Sequence, residues 1–340
     1  MATPRTAPAP AGDFYGILEV SPLARPEVVR AAYLALMQVH HPDVGGGHAA
    51  AARINAAYEA LSDATKRAAY DRARADIHGT VIGSYRVLEQ IAEGAIGITY
   101  RGEHAQTKLP VCIKHCAWLD ADANAILERE ATLMWDLRHF AIPAIRDIIR
   151  LPDGRGALVM SYIPGPTVAQ LVEKHRRLDV MHVTWIAQRV LNALAYLHDS
   201  GVVHGDLKPQ NIIVQPANFI VAVVDYGLAM VKPVATSTNA GYSAYFSPPE
   251  QLTQGPLVPA SDFYALGMTM LYTLAGMRGV ERKDVPADVP DPICAFIRKL
   301  IVHDVLSRKF TAAALGEELM SLRVQCFGRD AVWNMKPLAI

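Results

Sequence analysis

The octapeptide "HGDLKPQN", residues 204–211, gathers a carboxylate at Asp206, an ammonium at Lys208 and an amide at Asn211 into one short polar stretch between apolar runs. Fourteen residues after Asn211 a second carboxylate, Asp225, closes the apolar run of "VVDYGLAM". Carboxylate oxygens are what a hard divalent cation prefers. Further upstream, Gly94 and Gly97 sit between strand-like runs in "IAEGAIGITYRGEH", and Lys114 ends the run "VCIK". Glycines in that setting are by themselves a hairpin turn, so the chemistry is carried by the charged side chains that accompany them. Near the other end, "HHPDVGGG" contains His41, Pro42 and Asp43; the proline stops a helix and leaves a ring and a carboxylate exposed on a rigid turn.

The rest of the sequence must position these groups. Its 340 residues are 51% hydrophobic, enough for one large core or two smaller ones. Thirty-three basic residues balance 33 acidic ones, so no whole-chain field draws it to nucleic acid or an anionic membrane, and any electrostatic site is local. The longest uncharged apolar run, 263–277, is short of a bilayer span, and "MATPRTAPAPAGD" lacks the apolar core of a signal peptide. The expected setting is soluble and cytoplasmic, with no nucleic-acid or membrane partner. Cys112, Cys116, Cys294 and Cys326 form neither a disulfide framework nor a CxxC pair, which favours reduced thiols.

Residues 1–11, almost wholly Ala, Pro and Thr, read as a flexible tail. From 12 to 73 the apolar spacing is helical, with "PEVVRAAYLALMQV" and "AAAARINAAYEAL" forming a hairpin around the Gly-rich loop. A short linker, 74–83, leads into strand-like runs "SYRVLEQIA", "GITYRGEH" and "LPVCIKHC", and later to long helical stretches such as "VTWIAQRVLNALAYLHDSG". A second domain is therefore expected over 84–325, with an extension over 326–340 that could pack on it or bind a partner. The fold class expected is α+β, an all-α hairpin module followed by a β-rich lobe and a helical lobe.

The N-terminal segment resembles the J-domain family of co-chaperones over almost its whole length, with Tyr15, Leu18, Tyr33, Leu36, Tyr58, Leu61 and Tyr70 in order around His41-Pro42-Asp43. The resemblance implies that this tripeptide binds a DnaK-type chaperone and stimulates its ATPase. One departure is electrostatic: the helix before the tripeptide offers Arg30 and little other positive charge to steer an acidic surface.

Residues 84–322 resemble the serine/threonine protein kinases, and a bilobal kinase fold is implied. "VCIK" is similar to the VAIK motif, making Lys114 the lysine on the α- and β-phosphates. Glu130 in "AILEREATLMWDLRH" is its implied partner, with Glu128 as the alternative. Gly94 and Gly97 fall on two of the three glycine positions of the phosphate-covering loop, Ala92 on the first. The resemblance adds Thr99, Cys112 and Ile213 to the nucleotide site, and "ALVMSYIPGPTV" looks like the hinge, with Met160 as gatekeeper and the Ser161 and Ile163 backbone at the adenine edge. Asp206 is then the residue that orients the attacking hydroxyl, Lys208 meets the γ-phosphate, and Asn211 and Asp225 hold Mg²⁺, or Mn²⁺ in its place, on ATP. Tyr226 replaces the phenylalanine of the DFG motif. Structural positions carried over are His204, Glu250 of "SPPEQL" paired with Arg308, and Asp262 of "SDFYALG" anchoring the catalytic loop.

HGD triplets occur in small-molecule kinases as well as protein kinases, but the Lys208-Pro209, Glu250/Arg308 and Asp262 features favour a protein substrate. Gly205 removes the arginine that in related kinases receives a phosphorylated activation-loop residue, so Thr236, Ser237 and Thr238 are expected not to order that loop by phosphorylation. Ser243 stands where the family usually has threonine, with a contact to the substrate region. The reading is an ATP-dependent serine/threonine protein kinase whose J-domain recruits a DnaK-type chaperone or its clients; the alternatives are a nucleotide-binding scaffold or a small-molecule kinase.

Overall fold

A computed structural model of the chain describes residues 14–21, 24–40, 48–73, 77–94, 97–116, 121–151, 154–234, 236–239 and 241–338. The chain begins with four helices, α1 (Phe14–Ile17), α2 (Pro26–His40), α3 (His48–Ser62) and α4 (Ala64–Ala73). Their heptad-like spacing closes a small core of Phe14, Tyr15, Leu18, Val29, Ile54, Ala57, Leu61 and Tyr70, with Tyr33, Leu36 and Tyr58 packed against it. Polar atoms of the aromatic residues are satisfied inside this core: Phe14 N donates to Tyr70 Oη at 2.9 Å and Tyr15 Oη to Asp71 Oδ1 at 2.6 Å. The outer surface of α2 carries exposed Val28, Leu34 and Val39 beside exposed Arg30.

The chain then turns to strands: β1 (Val81–Ile82), β2 (Tyr85–Glu93), β3 (Gly97–His104) and β4 (Pro110–Cys116), followed by α5 (Ala121–Met134), β5 (Ile145–Arg150) and β6 (Gly156–Ser161). They form one sheet in the order β1-β2-β3-β4-β6-β5. Period-two alternation sends Val87, Ile98, Tyr100, Val111, Ile113, Ala157 and Val159 into a common apolar core. The stretch expected as a linker contributes to it: Ile77 is buried there, Val87 N donates to Thr80 O at 2.9 Å, and Ile82 pairs with Tyr85. The apolar residues at 77 and 82 are what draw this segment into the sheet, so only 74–76 remain of the linker outside described structure.

The remaining elements are α6 (Val168–His175), α7 (Val180–Asp199), β7 (Val202–Val203), β8 (Ile212–Gln215), β9 (Ile220–Val223), β10 (Met230–Val231), α8 (Pro249–Leu252), α9 (Pro259–Arg282), α10 (Asp291–Leu300), α11 (Ala312–Phe327) and α12 (Arg329–Trp333). The helices start on side-chain caps where polar residues precede apolar runs, Thr167 with Gln170 at α6 and Asp179 at α7. α7 and α9 are buried along most of their length and form the centre of a large core that also takes β8, β9, α10 and α11. α11 continues past residue 325 because its apolar periodicity does, and Met335 and Leu338 of the extension pack on the same core. The architecture is mixed α+β, divided into two compact units, 1–131 with 146–161 and 132–145 with 162–340. Among the described residues no helix is long and apolar enough to cross a membrane.

Candidate active site

In the first unit the sheet sorts its residues by face. Opposite the core face, the registers Thr99↔Lys114 and Cys112↔Met160 line up four of the named positions side by side. Lys114 Nζ lies 2.8 Å from Glu130 Oε2, a carboxylate only 2% exposed at its side chain. Glu130 is so placed because α5 buries Ala123, Leu127, Ala131 and Met134, a three- and four-residue rhythm into which position 130 falls and 128 does not. Glu128 pairs with Arg150 instead. The two glycines have different reasons. A β-carbon at Gly97 would stand 1.9 Å from His115 O, so the close approach of β3 and β4 excludes any side chain there. Gly94 has room for one, the nearest atom being Gly97 O at 3.8 Å. Ser161 ends β6 opposite Val111.

In the second unit, residues 204–211 form a loop held by buried polar groups. Asp206 Oδ2 accepts from Lys208 Nζ at 2.7 Å and from Asn211 Nδ2 at 3.1 Å, while Oδ1 accepts from Ser243 Oγ at 2.5 Å. Lys208 Nζ also donates to Ser243 Oγ at 2.9 Å. Asn211 Nδ2 donates again to the Asp206 carbonyl at 2.8 Å, which commits the amide nitrogen to the loop and leaves the amide oxygen as an acceptor. Val224 N donates to Asn211 O at 2.9 Å, bringing Asp225 beside Asn211. Asp225 is in the left-handed region at φ 67°, a sparsely populated conformation for a residue with a side chain. Ile163 and Ile213 are both half-buried, Ile213 bridging to Thr167.

Two further assemblies stiffen this loop. Asp262, 1% exposed at the start of α9, accepts from His204 N and Gly205 N at 2.9 Å each and from His198 Nε2 at 2.8 Å. Burial pushes its carboxyl pKa up, but the hydrogen bond and charge of His198 and the Gly205 amide outweigh burial and hold it below the ordinary range. His204 accepts from Asp206 N through Nδ1 at 3.2 Å, so its Nε2 proton points to Val224 O. Arg308, 1% exposed, donates through Nη2 to Glu250 Oε2 at 2.6 Å and through Nη1 to Ala260 O at 2.5 Å, while Ser261 Oγ donates to Glu250 Oε1 at 2.9 Å.

Gly205 itself lies at φ 72°, and a β-carbon there would meet Leu257 Cδ1 at 2.7 Å and Leu228 O at 2.9 Å. The glycine is thus required by the backbone path as well as removing a cationic side chain. Its carbonyl accepts from Gln251 Nε2 at 2.8 Å, and the same nitrogen donates to Gly241 O at 2.9 Å. Asn239 Nδ2 in turn donates to Gln251 O and Gly255 O. Gln251, 1% exposed, escaped the sequence reading because a glutamine after "SPPE" has no periodicity or charge to announce it. Asn239 and His198 escaped for the same reason. His41, Pro42 and Asp43 lie outside the described residues.

The groups fit a metal nucleotide. Among the described residues no cluster of three or more His, Cys, Asp or Glu side chains could hold a metal alone, and one amide oxygen with one carboxylate suits a hard cation that takes its other ligands from phosphate oxygens.

Comparison with family models matches residues 85–320 to the protein kinase domain and 13–71 to the DnaJ domain. Among curated proteins the chain is 30% identical over 211 residues to serine/threonine-protein kinase pkn3 of Myxococcus xanthus, covering 58% of this chain and 39% of that protein. It is 32% identical over 170 residues to serine/threonine-protein kinase F of Synechocystis (45% and 34%). To serine/threonine-protein kinase PknK of Mycobacterium tuberculosis it is 28% identical over 264 residues (69% and 23%). The chain therefore spans well under half the length of these relatives. With the kinase model covering most of its length and the DnaJ model the segment before, the chain belongs to the protein kinase family and carries a DnaJ domain at its N-terminal side.

Proposed function

We propose that the chain is a serine/threonine protein kinase that transfers the γ-phosphoryl group of ATP to a hydroxyl of a protein substrate. The observation that carries the reading is the cluster of buried Asp206 and Asn211 with half-buried Lys208 and Ser243. A hydroxyl already meets Asp206 Oδ1 at 2.5 Å, that of Ser243, and an incoming serine or threonine would be accepted by this carboxylate in the same way. Bound Mg²⁺-ATP, or its Mn²⁺ counterpart, supplies the phosphoryl group and neutralises charge on the phosphates. Asp206 orients the hydroxyl and takes up its proton; Lys208, held 2.7 Å from Asp206, stands ready for the charge of the transferred group. Asn211 and Asp225 are the metal ligands. Lys114, fixed by Glu130 at 2.8 Å, holds the α- and β-phosphates, with Gly94, Gly97, Thr99, Cys112, Met160, Ser161, Ile163 and Ile213 lining the nucleotide. His204, Glu250, Asp262 and Arg308 keep the loop in place.

The DnaJ domain, taken as 12–73, is proposed to bring a DnaK-type chaperone or its clients to the kinase domain, whose residues we take as 84–325 with the sheet segment from Ile77 joined to it. Linking the two raises the effective concentration of one target near the other. All four cysteines are free thiols, which suits a cytoplasmic setting.

The test is transfer of labelled γ-phosphate with Mg²⁺ to the chain itself, a generic basic protein and a purified DnaK-type chaperone, for wild type and Asp206→Asn. Label on protein that disappears in the variant supports the reading. Nucleotide binding without label on any protein overturns it in favour of a scaffold.

A further inference from the structure

A second cleft lies in the helical unit, away from residues 204–211. It has a volume of about 340 Å³ and is walled by α7, α11, α12 and the residues after α12. Trp185, Phe219, Met320 and Trp333 make its sides apolar, while Arg189 and Arg323 are its cations. That volume is at the small end of cavities that take organic ligands.

Arg323 is out of place by the logic of its helix. α11 buries Ala312, Leu315, Gly316 and Leu319, and Arg323 continues that stripe, 3% exposed. Removing a cation from water is unfavourable unless an anion or a full set of acceptors compensates. Here Nη1 donates to Gln188 Oε1 at 2.5 Å, Nη2 reaches only the weakly accepting Met335 Sδ at 3.9 Å, and Nε has no hydrogen-bond partner. The neighbour that bears on it electrostatically is another cation, Arg189. Burial and that neighbour push the Arg323 pKa down to about 10. Thus one neutral acceptor occupies the Nη1 corner, and the Nε–Nη2 edge, the two-donor fork that matches a carboxylate, is sealed from solvent beside the Met335 thioether with no anion of the chain's own, so a carboxylate reaches it by displacing the Met335 side chain.

We propose that this cleft binds a small amphipathic organic acid, its carboxylate seated on the Nε–Nη2 edge of Arg323 and its aliphatic or aromatic body against Trp185, Phe219 and Trp333. One fork between apolar walls suits a monocarboxylate, whereas a phosphate dianion needs more donors than this edge provides. Arg189, half-buried, adds attraction for the same charge. The extension closes one wall: Val332 is buried, Met335 touches Arg323, and His182 contacts Lys336 O through Nε2 at 3.0 Å. A ligand here therefore also fastens residues 329–336 to the kinase domain.

The full chain is titrated with decanoate and with 4-phenylbutyrate, each against its neutral amide, by calorimetry and by tryptophan fluorescence. Saturable one-site binding of an acid is expected, at least about tenfold tighter than its amide, because the amide loses the charge-assisted fork. Arg323→Gln should weaken the acid by about tenfold or more and leave the amide unchanged. Trp333, 64% exposed, is replaceable without disturbing the core, and Trp333→Ala should weaken acid and amide alike. No saturation by either acid up to about 5 mM, equal binding of acid and amide, or wild-type affinity in a folded Arg323→Gln each overturns the proposal. Should Arg323→Gln not fold, unchanged acid affinity in both Arg189→Ala and Trp333→Ala overturns it as well.

Discussion

Replacing Thr236, Ser237 and Thr238 together by alanine should leave the phosphorylation rate nearly intact, whereas replacing Gln251 alone should not. The contrast follows from where the segment after Asp225 is tied down. Thr236 and Thr238 are exposed, and the Ser237 hydroxyl accepts one hydrogen bond from Val234 N at 2.9 Å in an exposed turn, worth about 0.5–1 kcal/mol. Gln251 is 1% exposed and its Nε2 donates to both Gly205 O and Gly241 O, at 2.8 and 2.9 Å. Gln251→Ala strands the buried Gly205 carbonyl, at about 1–2 kcal/mol, and the half-buried Gly241 carbonyl, at about 0.5–1 kcal/mol, or about 1.5–3 kcal/mol together. That lowers the ratio of ordered to released segment by about tenfold to about 150-fold.

The assay is kcat/KM on a basic peptide with phosphatase-treated proteins whose unphosphorylated mass has been verified. The triple variant should stay within about threefold of wild type, and Gln251→Ala should fall by about tenfold or more with earlier proteolytic cleavage between 232 and 247. The reasoning fails if phosphatase treatment or the triple substitution alone removes most of the activity while Gln251→Ala keeps it.

Arg308→Ala leaves Glu250 without its cation in a nearly closed site and should cost about 3 kcal/mol or more of stability, read from the urea midpoint. Gly205→Ala forces an L side chain into φ 72° against Leu257 Cδ1 and Leu228 O and should destabilise by about 1–2 kcal/mol from backbone strain alone, with a further contribution from the contacts, measured by thermal unfolding. Asp262 has a depressed folded-state pKa, so its contribution is fully present above its unfolded value of about 4 and is lost as pH falls through the lower folded value. Stability of wild type should therefore fall more steeply than that of Asp262→Asn below about pH 4, which acid titration of circular dichroism checks. His41→Gln should abolish stimulation of a DnaK-type chaperone's ATPase while leaving basal phosphorylation unchanged; a wild-type chain that gives no stimulation would make the DnaJ domain a structural module only.

The fold was legible wherever periodicity and burial coincide. The seven aromatic and leucine positions of the N-terminal helices all join one small core, and the strand-like runs at 85, 97 and 110 are strands. Glu130 was legible for a reason beyond its charge, since a helical rhythm of 123, 127, 131 and 134 places it on the buried face of α5. The linker was misjudged because two isolated apolar residues, Ile77 and Ile82, are too few to show a period, yet they suffice to add a two-residue strand to a sheet already formed. Gln251 and Asn239 were invisible because an amide's partners are backbone carbonyls far along the chain, which leave no mark on neighbouring residues. Arg323 was hidden similarly: a single arginine in a helix carries no mark of its direction, and only the packed structure shows the cation on the inward side.

Gly205 links the regulation and the fold of the catalytic loop. Its N–H goes to Asp262, its carbonyl to Gln251, and its α-carbon lies under Leu257 and the Leu228 carbonyl. An arginine at this position would bring its β-carbon against Leu257 Cδ1 and the Leu228 carbonyl, so presenting a guanidinium to a phosphate here also requires the backbone to shift. In its place, the neutral amide of Gln251 spans the two segments that a phosphate and an arginine would otherwise join. Such a tether is present from the moment the chain folds, and ionic strength, which weakens paired exposed charges, has little hold on a buried amide. Order in the segment between Asp225 and Glu250 then rests on packing and on these amide contacts rather than on an added charge.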